Sequence, residues 1–221
     1  MTSLAAAVVG IVGAALHIGW LDYAQWLYVP PLAVALVLAG ALRDPRGRWW
    51  LAGLVFSWLG DVLGGATFLA LLGCFFLAHV CYILALLPTR GRSLLGKAWS
   101  VPYLLLGLAG TAVLVPAAGG VLAVPVLLYA VTLTLMALLA SAGGRAGVVG
   151  GALFMVSDLV LGVGIFVLDI PAPVQTLLVI GTYVPAQVLL LVAILGLIRS
   201  SSAATGPEDR SGDLAAQDRA G

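Results

Sequence analysis

Eight apolar runs, bounded by proline, glycine or charged residues, account for most of this chain. They lie at residues 4–19, 28–42, 49–64, 67–87, 99–115, 121–140, 146–168 and 173–198. A helix needs about 20 residues to cross the roughly 30 Å hydrocarbon core of a bilayer, and most of the runs approach that length. They are apolar on all sides and do not alternate as the strands of a barrel do. The sequence therefore predicts an all-α, polytopic transmembrane helical bundle of about eight spans.

The composition excludes several classes of function. Hydrophobic residues make up 62% of the chain and charged residues 9%, with a mean hydropathy of +1.17, which is not the profile of a soluble domain. A net charge of +1 without a basic run gives no reason to expect a nucleic acid partner. Residues 1–3 carry no positive charge and no cleavage site follows the first run, so we expect no removable signal peptide.

The basic residues indicate an orientation, because cytoplasmic loops collect lysine and arginine. All ten of them follow even-numbered runs, at Arg43, Arg46, Arg48, Arg90, Arg92, Lys97, Arg145, Arg199, Arg210 and Arg219. The opposite loops carry Asp22 and Asp169. We therefore predict a multi-pass membrane protein, in the plasma or inner membrane if bacterial, with both termini cytoplasmic. Residues 1–199 form the predicted eight-helix domain, and residues 200–221, rich in serine, glycine and charge, a disordered cytoplasmic tail.

Two aspartates lie inside these runs, where an ionisable group is costly unless it faces a wet or protein-lined cavity. Asp61 is twelve residues from Trp49, and Asp158 is twelve residues from Ala146, so both lie about 18 Å from the cytoplasmic boundary. Intramembrane carboxylates are candidates for function. We expect Asp61 and Asp158 to be the centre of the chemistry.

Other polar residues fall at a similar depth. Gln187 is about 16 Å from the same boundary, Tyr183 is one turn from it on the same helix face, and His79 is at about 12 Å. Ser57 is four residues before Asp61, hence on the same face of its helix. If the helices concerned are neighbours, these groups form one polar layer near the middle of the bilayer.

The order of the segments that carry these residues resembles the YhhN family of lysoplasmalogenases. The segments read Gly53-Leu-Val-Phe-Ser-Trp-Leu-Gly-Asp61, Phe75-Phe-Leu-Ala-His79-Val-Cys-Tyr82, Gly151-Ala-Leu-Phe-Met-Val-Ser-Asp158 and Tyr183-Val-Pro-Ala-Gln187. The resemblance implies an eight-span enzyme that cleaves the vinyl ether bond of lysoplasmalogens to a fatty aldehyde and a glycerophospho-amino-alcohol. Its partner is then a lipid substrate. Relatives often carry a lysine before the proline that opens the second span, where this chain has Tyr28-Val-Pro30.

Vinyl ether hydrolysis needs an acid, a negative charge beside the oxocarbenium ion that forms, and a water. Two neighbouring carboxyl groups can hold one neutral acid beside one anion, as in glycoside hydrolysis. Our hypothesis assigns this catalytic role to Asp61 and Asp158, without deciding which is the acid. The substrate-binding set is His79, Tyr82, Tyr183, Gln187 and Ser57. No cofactor is expected.

Two other functions compete with this hypothesis. A metal site formed by Asp61, Asp158 and His79 is disfavoured because catalytic zinc commonly takes three protein ligands, often histidines, and the chain has two histidines in all. We expect no metal. A proton- or cation-coupled small transporter would also use Asp61 and Asp158, and its mark would be helices broken at matching points of two repeats.

Overall fold

The computed structural model describes residues 26–64 and 67–204, and within them it contains helices and turns but no strand. The α-helices, numbered in chain order, are α1 (Pro30–Leu38), α2 (Pro45–Leu63), α3 (Phe68–Leu86), α4 (Val101–Ala118), α5 (Ala123–Ala140), α6 (Gly144–Phe166) and α7 (Ala172–Ala204). The predicted all-α class is confirmed. The first predicted run, residues 4–19, and most of the predicted tail lie outside the described residues.

Four helical segments of the described part are long and apolar enough to cross a membrane, namely Phe68–Arg92, Ala98–Ala118, Gly120–Phe166 and Ala172–Ala203. The third is a run of 47 residues that contains both α5 and α6. Helix α1 has nine residues, about 13 Å in length, which is too short to span on its own. The arginines and Asp61 lower the hydropathy of α2. The predicted count of about eight spans is therefore not confirmed.

Glycines let the helices approach closely. A Cβ on Gly53 of α2 would collide with the Tyr82 ring of α3, and a Cβ on Gly60 would lie 2.7 Å from the Phe75 ring. Helices α5 and α6 form an antiparallel hairpin that reverses at Gly144, whose φ is 70°. Such close approach is typical of helix packing in membranes. There the hydrophobic effect does not drive helices together, and small residues allow the van der Waals contacts that do.

The arginine-rich loops lie together at one end of the bundle. Arg46 at the start of α2 donates from Nη1 to the Leu197 carbonyl near the end of α7 (3.4 Å), and the Leu94 N–H donates to Ser141 Oγ between α5 and α6 (2.8 Å). Asp44 caps α2, since its carboxylate accepts from the Arg46 N–H at 2.8 Å and pairs with its guanidinium at 2.5 Å. This pairing holds the pKa of Asp44 below its usual value.

Helix α7 continues past residue 199, where we expected the transmembrane domain to end. It has 33 residues, about 50 Å, and therefore exceeds the hydrocarbon thickness. The hydroxyls of Ser200, Ser201 and Ser202 donate to the Leu197 and Ile198 carbonyls of the preceding turn. The start of the predicted tail is thus helical to Ala204.

Candidate active site

A chain of hydrogen bonds leads to Asp61. Tyr82 Oη of α3 donates to Gln187 Oε1 of α7 (3.4 Å), Gln187 Nε2 donates to Tyr183 Oη (3.2 Å), and Tyr183 Oη donates to Asp61 Oδ2 (3.1 Å). Every donor in this series points towards the carboxylate. Ser57 Oγ lies 3.1 Å from Tyr82 Oη. Ser57 is one turn before Asp61 on α2, so both ends of the network are on the same helix.

This network fixes the geometry of Asp61. Tyr82, Gln187 and Ser57 are almost fully buried, and a buried polar group is costly unless it is hydrogen-bonded. The amide of Gln187 has one orientation that satisfies both tyrosines, with Oε1 towards Tyr82 and Nε2 towards Tyr183. Four of the residues that we assigned to substrate binding, namely Ser57, Tyr82, Tyr183 and Gln187, therefore form one hydrogen-bonded set with Asp61.

The second carboxylate has its own tyrosine. Tyr129 of α5 donates from its hydroxyl to Asp158 Oδ2 of α6. The neighbouring Ser157 donates to the Val179 carbonyl of α7 at 3.1 Å. Each aspartate thus accepts a hydrogen bond from a tyrosine on a different helix, and charge-assisted bonds of this kind are stronger than those between neutral groups.

Both carboxylates line one cavity of about 170 Å³. Its wall includes Tyr28, Phe75, Tyr129, Ser157 and Tyr183, and its volume has room for several water molecules. Apart from tyrosines, the two aspartates are the ionisable groups of this wall. Asp61 lies near the end of α2, and Asp158 and Tyr183 lie in the middle thirds of α6 and α7, so the cavity lies away from the arginine-rich end.

His79 lies outside this cavity wall. Its ring is fully buried, with its centroid 5.2 Å from that of Tyr129, 5.0 Å from Phe154 and 6.4 Å from Tyr82, each approached edge to face. Neither ring nitrogen has a hydrogen-bond partner of normal geometry among the described residues. The histidine therefore packs between the tyrosine of one carboxylate and the network of the other. Its predicted contact with substrate stays a prediction.

Reasoning from the sequence did not include Tyr129 or Tyr28 in the site. Tyr129 has a recognisable signal, because it is a single phenol in the apolar helix α5, away from the helix ends where tyrosines normally meet the interface. Tyr28 lies on the cavity wall, in the segment Tyr28-Val-Pro30 where the family resemblance led us to expect a lysine. The unexpected residue at this position is the signal that could have identified Tyr28.

The structure also bears on the two competing functions. Within residues 26–64 and 67–204 no three side chains of His, Cys, Asp or Glu come together as metal ligands would. Helices α2 and α6 run unbroken through Asp61 and Asp158, whereas the transporter hypothesis expects interrupted helices at these points.

The fold and site define a multi-helix membrane protein with two carboxylates on the wall of one cavity. The YhhN family matches residues 24–194, and the chain belongs to that family, as its motifs predicted. Two relatives, from Mycobacterium bovis (strain ATCC BAA-935 / AF2122/97) and Mycobacterium tuberculosis (strain CDC 1551 / Oshkosh), are named Lysoplasmalogenase. Each is 34% identical over 148 residues, which cover 60% of this chain and 57% of the relative. The chain thus spans less than two thirds of these relatives. No solved structure matches it.

Proposed function

We propose that this protein hydrolyses the vinyl ether bond of lysoplasmalogens, with Asp61 and Asp158 as its catalytic pair. The observation that carries the proposal is the placement of two tyrosine-bonded carboxylates on the wall of one cavity. The names of the two mycobacterial relatives support the same substrate class. The products are a fatty aldehyde and glycerophosphoethanolamine or glycerophosphocholine.

The reaction proceeds in three steps. One carboxyl group transfers its proton to the alkenyl carbon that is not bonded to oxygen, and an oxocarbenium ion forms. The other group, as a carboxylate, stabilises this cation, as the second carboxylate does in glycoside hydrolysis. Water then adds to the carbon bonded to oxygen and loses a proton to the carboxylate that acted as acid, which restores the starting protonation. The resulting hemiacetal collapses to aldehyde and alcohol as its hydroxyl proton is transferred to the glyceryl oxygen.

The surrounding residues have supporting roles. Tyr183 and Tyr129 orient the two carboxylates by donating to them, so each aspartate keeps its second oxygen for substrate or water. Gln187 and Tyr82 hold Tyr183 in place through the network. Preorganised donors of this kind need little rearrangement during the reaction, which is how enzymes lower the barrier electrostatically.

The test is aldehyde release by purified protein in detergent with lysoplasmenylethanolamine. Asp61→Asn keeps the shape and the hydrogen bond from Tyr183 but removes one ionisable carboxyl group of the catalytic pair, so turnover falls at least about 100-fold. Asp169→Asn is the matched control, because Asp169 is an exposed residue of the α6–α7 loop and keeps full activity.

Two outcomes contradict different parts of the proposal. Absence of turnover by folded wild-type protein, over ethanolamine and choline substrates and with divalent metals added, overturns the hydrolase function. Full turnover by Asp61→Asn overturns the carboxylate pair and keeps the activity. Size-exclusion profiles and thermal unfolding of each variant establish that the protein is folded.

A further inference from the structure

An apolar groove adjoins the carboxylate cavity. It lies between α3, α4, α5 and α6, and Leu71, Tyr129, Asp158 and Leu161 belong to the walls of both. The rest of its wall is apolar, including Phe68, Leu106, Leu114, Met155, Ile165 and Phe166. The pair formed by Asp158 and Tyr129 is therefore the boundary between a polar space and an apolar one.

Among the residues that the structure describes, the wall of the groove has no other polar side chain without a hydrogen-bond partner. Thr134 lies on it, but its hydroxyl donates to the Ala130 carbonyl at 2.8 Å and is satisfied within its own helix. From Met155 to Phe166 the wall extends over eleven residues of α6, about 16 Å. Its shape is thus long and apolar, with one polar end.

Two glycines shape the groove: Gly162 lets its walls approach each other, and Gly110 leaves space between them. A Cβ on Gly162 would lie 2.7 Å from Leu114 Cδ1, so this glycine lets α4 approach α6. At Gly110 a Cβ would lie 3.5 Å from Leu159 Cδ1, which is an ordinary contact, and Gly110 lines the groove. A larger side chain at residue 110 therefore projects into the groove without displacing backbone.

We propose that this groove binds the hydrocarbon chain of a single-chain lipid whose polar end occupies the carboxylate cavity. The inference deepens the proposed function and rests on it for the identity of the lipid. The common wall requires that the first carbons of the chain pass Asp158. In a lysoplasmalogen these are the two carbons of the vinyl ether, so the chain position directs the double bond to Asp158 and leaves the glyceryl end towards Asp61 and Tyr28.

The first experiment changes the groove and measures chain selectivity. Ile165→Trp shortens the space for the chain, because Ile165 lines the groove seven residues of α6 beyond Asp158, about 10 Å away. We expect roughly a tenfold loss of kcat/KM with a hexadecenyl lysoplasmalogen, equivalent to about 1.4 kcal/mol. With an octenyl substrate the variant stays within about twofold of wild type, because the short chain ends before the added side chain.

Val149→Trp is the matched control. Val149 lies on α6, is 47% exposed and belongs to the wall of neither the groove nor the cavity, so a similar substitution adds the same side chain elsewhere on that helix. It leaves both substrates unaffected. Equal loss with both chain lengths in folded Ile165→Trp, or no loss with either, overturns the inference.

The second experiment does not depend on turnover. An alkyl ether lysolipid with a diazirine near the end of its chain is photolysed with wild-type protein, and labelled peptides are mapped by mass spectrometry. We expect labels on α4 and α6 near Leu114 and Ile165, which line the groove beyond Asp158, and excess unlabelled alkyl ether lysolipid removes them. Labels restricted to exposed helix faces, or labels that excess ligand does not remove, show that ordinary bilayer chains occupy the groove and overturn the inference.

Photolabelling and aldehyde release together distinguish this inference from the proposed function. Competed labelling in a protein that releases no aldehyde supports the groove and counts against the hydrolase. Aldehyde release without labelling in the groove supports the hydrolase and overturns the chain site.

Discussion

At Asp61 and Asp158 a tyrosine from another helix donates to the carboxylate, and this pairing is the central feature of the site at the scale of residues. The aspartates were predictable because the cost of an ionised group in an apolar span is a property of one residue and its neighbours in sequence. Tyr129 was not, because its partner is 29 residues away and belongs to the next helix. A hydrogen bond between helices depends on their packing.

Removing either tyrosine hydroxyl tests these bonds. A hydrogen bond to a charged group contributes about 1.5–3 kcal/mol, so Tyr129→Phe and Tyr183→Phe are each expected to lower kcat by roughly 10- to 100-fold. The measurement is aldehyde release at saturating substrate. Wild-type kcat in Tyr129→Phe would contradict an orienting role for that phenol.

Tyr103→Phe is the control for these variants. Its hydroxyl donates to the Val148 carbonyl at 2.5 Å and ties α4 to α6, and Tyr103 belongs to neither the cavity nor the groove. We expect a loss of about 1 kcal/mol in the free energy of unfolding and unchanged kcat.

At the scale of helices, one glycine explains why the second predicted run is divided in the structure. The run at 28–42 contains α1 and then a short 3₁₀ turn, because Gly40 adopts a φ of 70° and ends the helix after Leu38. Gly144, with a φ of 70°, reverses the chain between α5 and α6. The apolar pattern indicates where helices lie but not which glycine adopts a left-handed conformation.

The α5–α6 hairpin gives a test of packing. A Cβ on Gly147 would collide with the Ala140 carbonyl oxygen, which is backbone and moves little. Gly147→Ala is therefore expected to lower the free energy of unfolding in detergent by about 1–3 kcal/mol. Gly73→Ala, which adds a methyl group in open space, is expected to be neutral or stabilising by up to about 1 kcal/mol. Equal stability of the two variants would contradict the close packing of α5 on α6.

At the scale of the whole molecule, the arginine-rich loops lie at one end and the carboxylate cavity lies away from it. If cytoplasmic loops collect the basic residues, the cavity is nearer to the outer leaflet. This orientation is our proposal, and it would make lysolipid of that leaflet the accessible substrate. The loop charges predict the orientation of the protein from its sequence, while the position of the cavity comes from the structure.

Cysteine labelling in intact cells tests the orientation. In a background with Cys74→Ala and Cys81→Ala, Val121→Cys places a thiol on a residue that is 92% exposed, in the turn between α4 and α5. A membrane-impermeant maleimide is expected to label it without lysis. Arg92→Cys, in the exposed loop after α3, is expected to react after lysis alone. The reverse pattern would place the termini outside and the cavity towards the cytoplasm.

The sequence alone determined that this protein is helical, that it belongs to the membrane, and that Asp61 and Asp158 are the residues to explain. These follow from local properties, namely hydropathy, helix length and the cost of burying charge. Tertiary structure decided the other features of the site, namely the common cavity, the tyrosine donors, the apolar groove and the packing of His79 among aromatic rings. Each depends on which helix faces are in contact, and that is set by the packing of glycines distant in sequence.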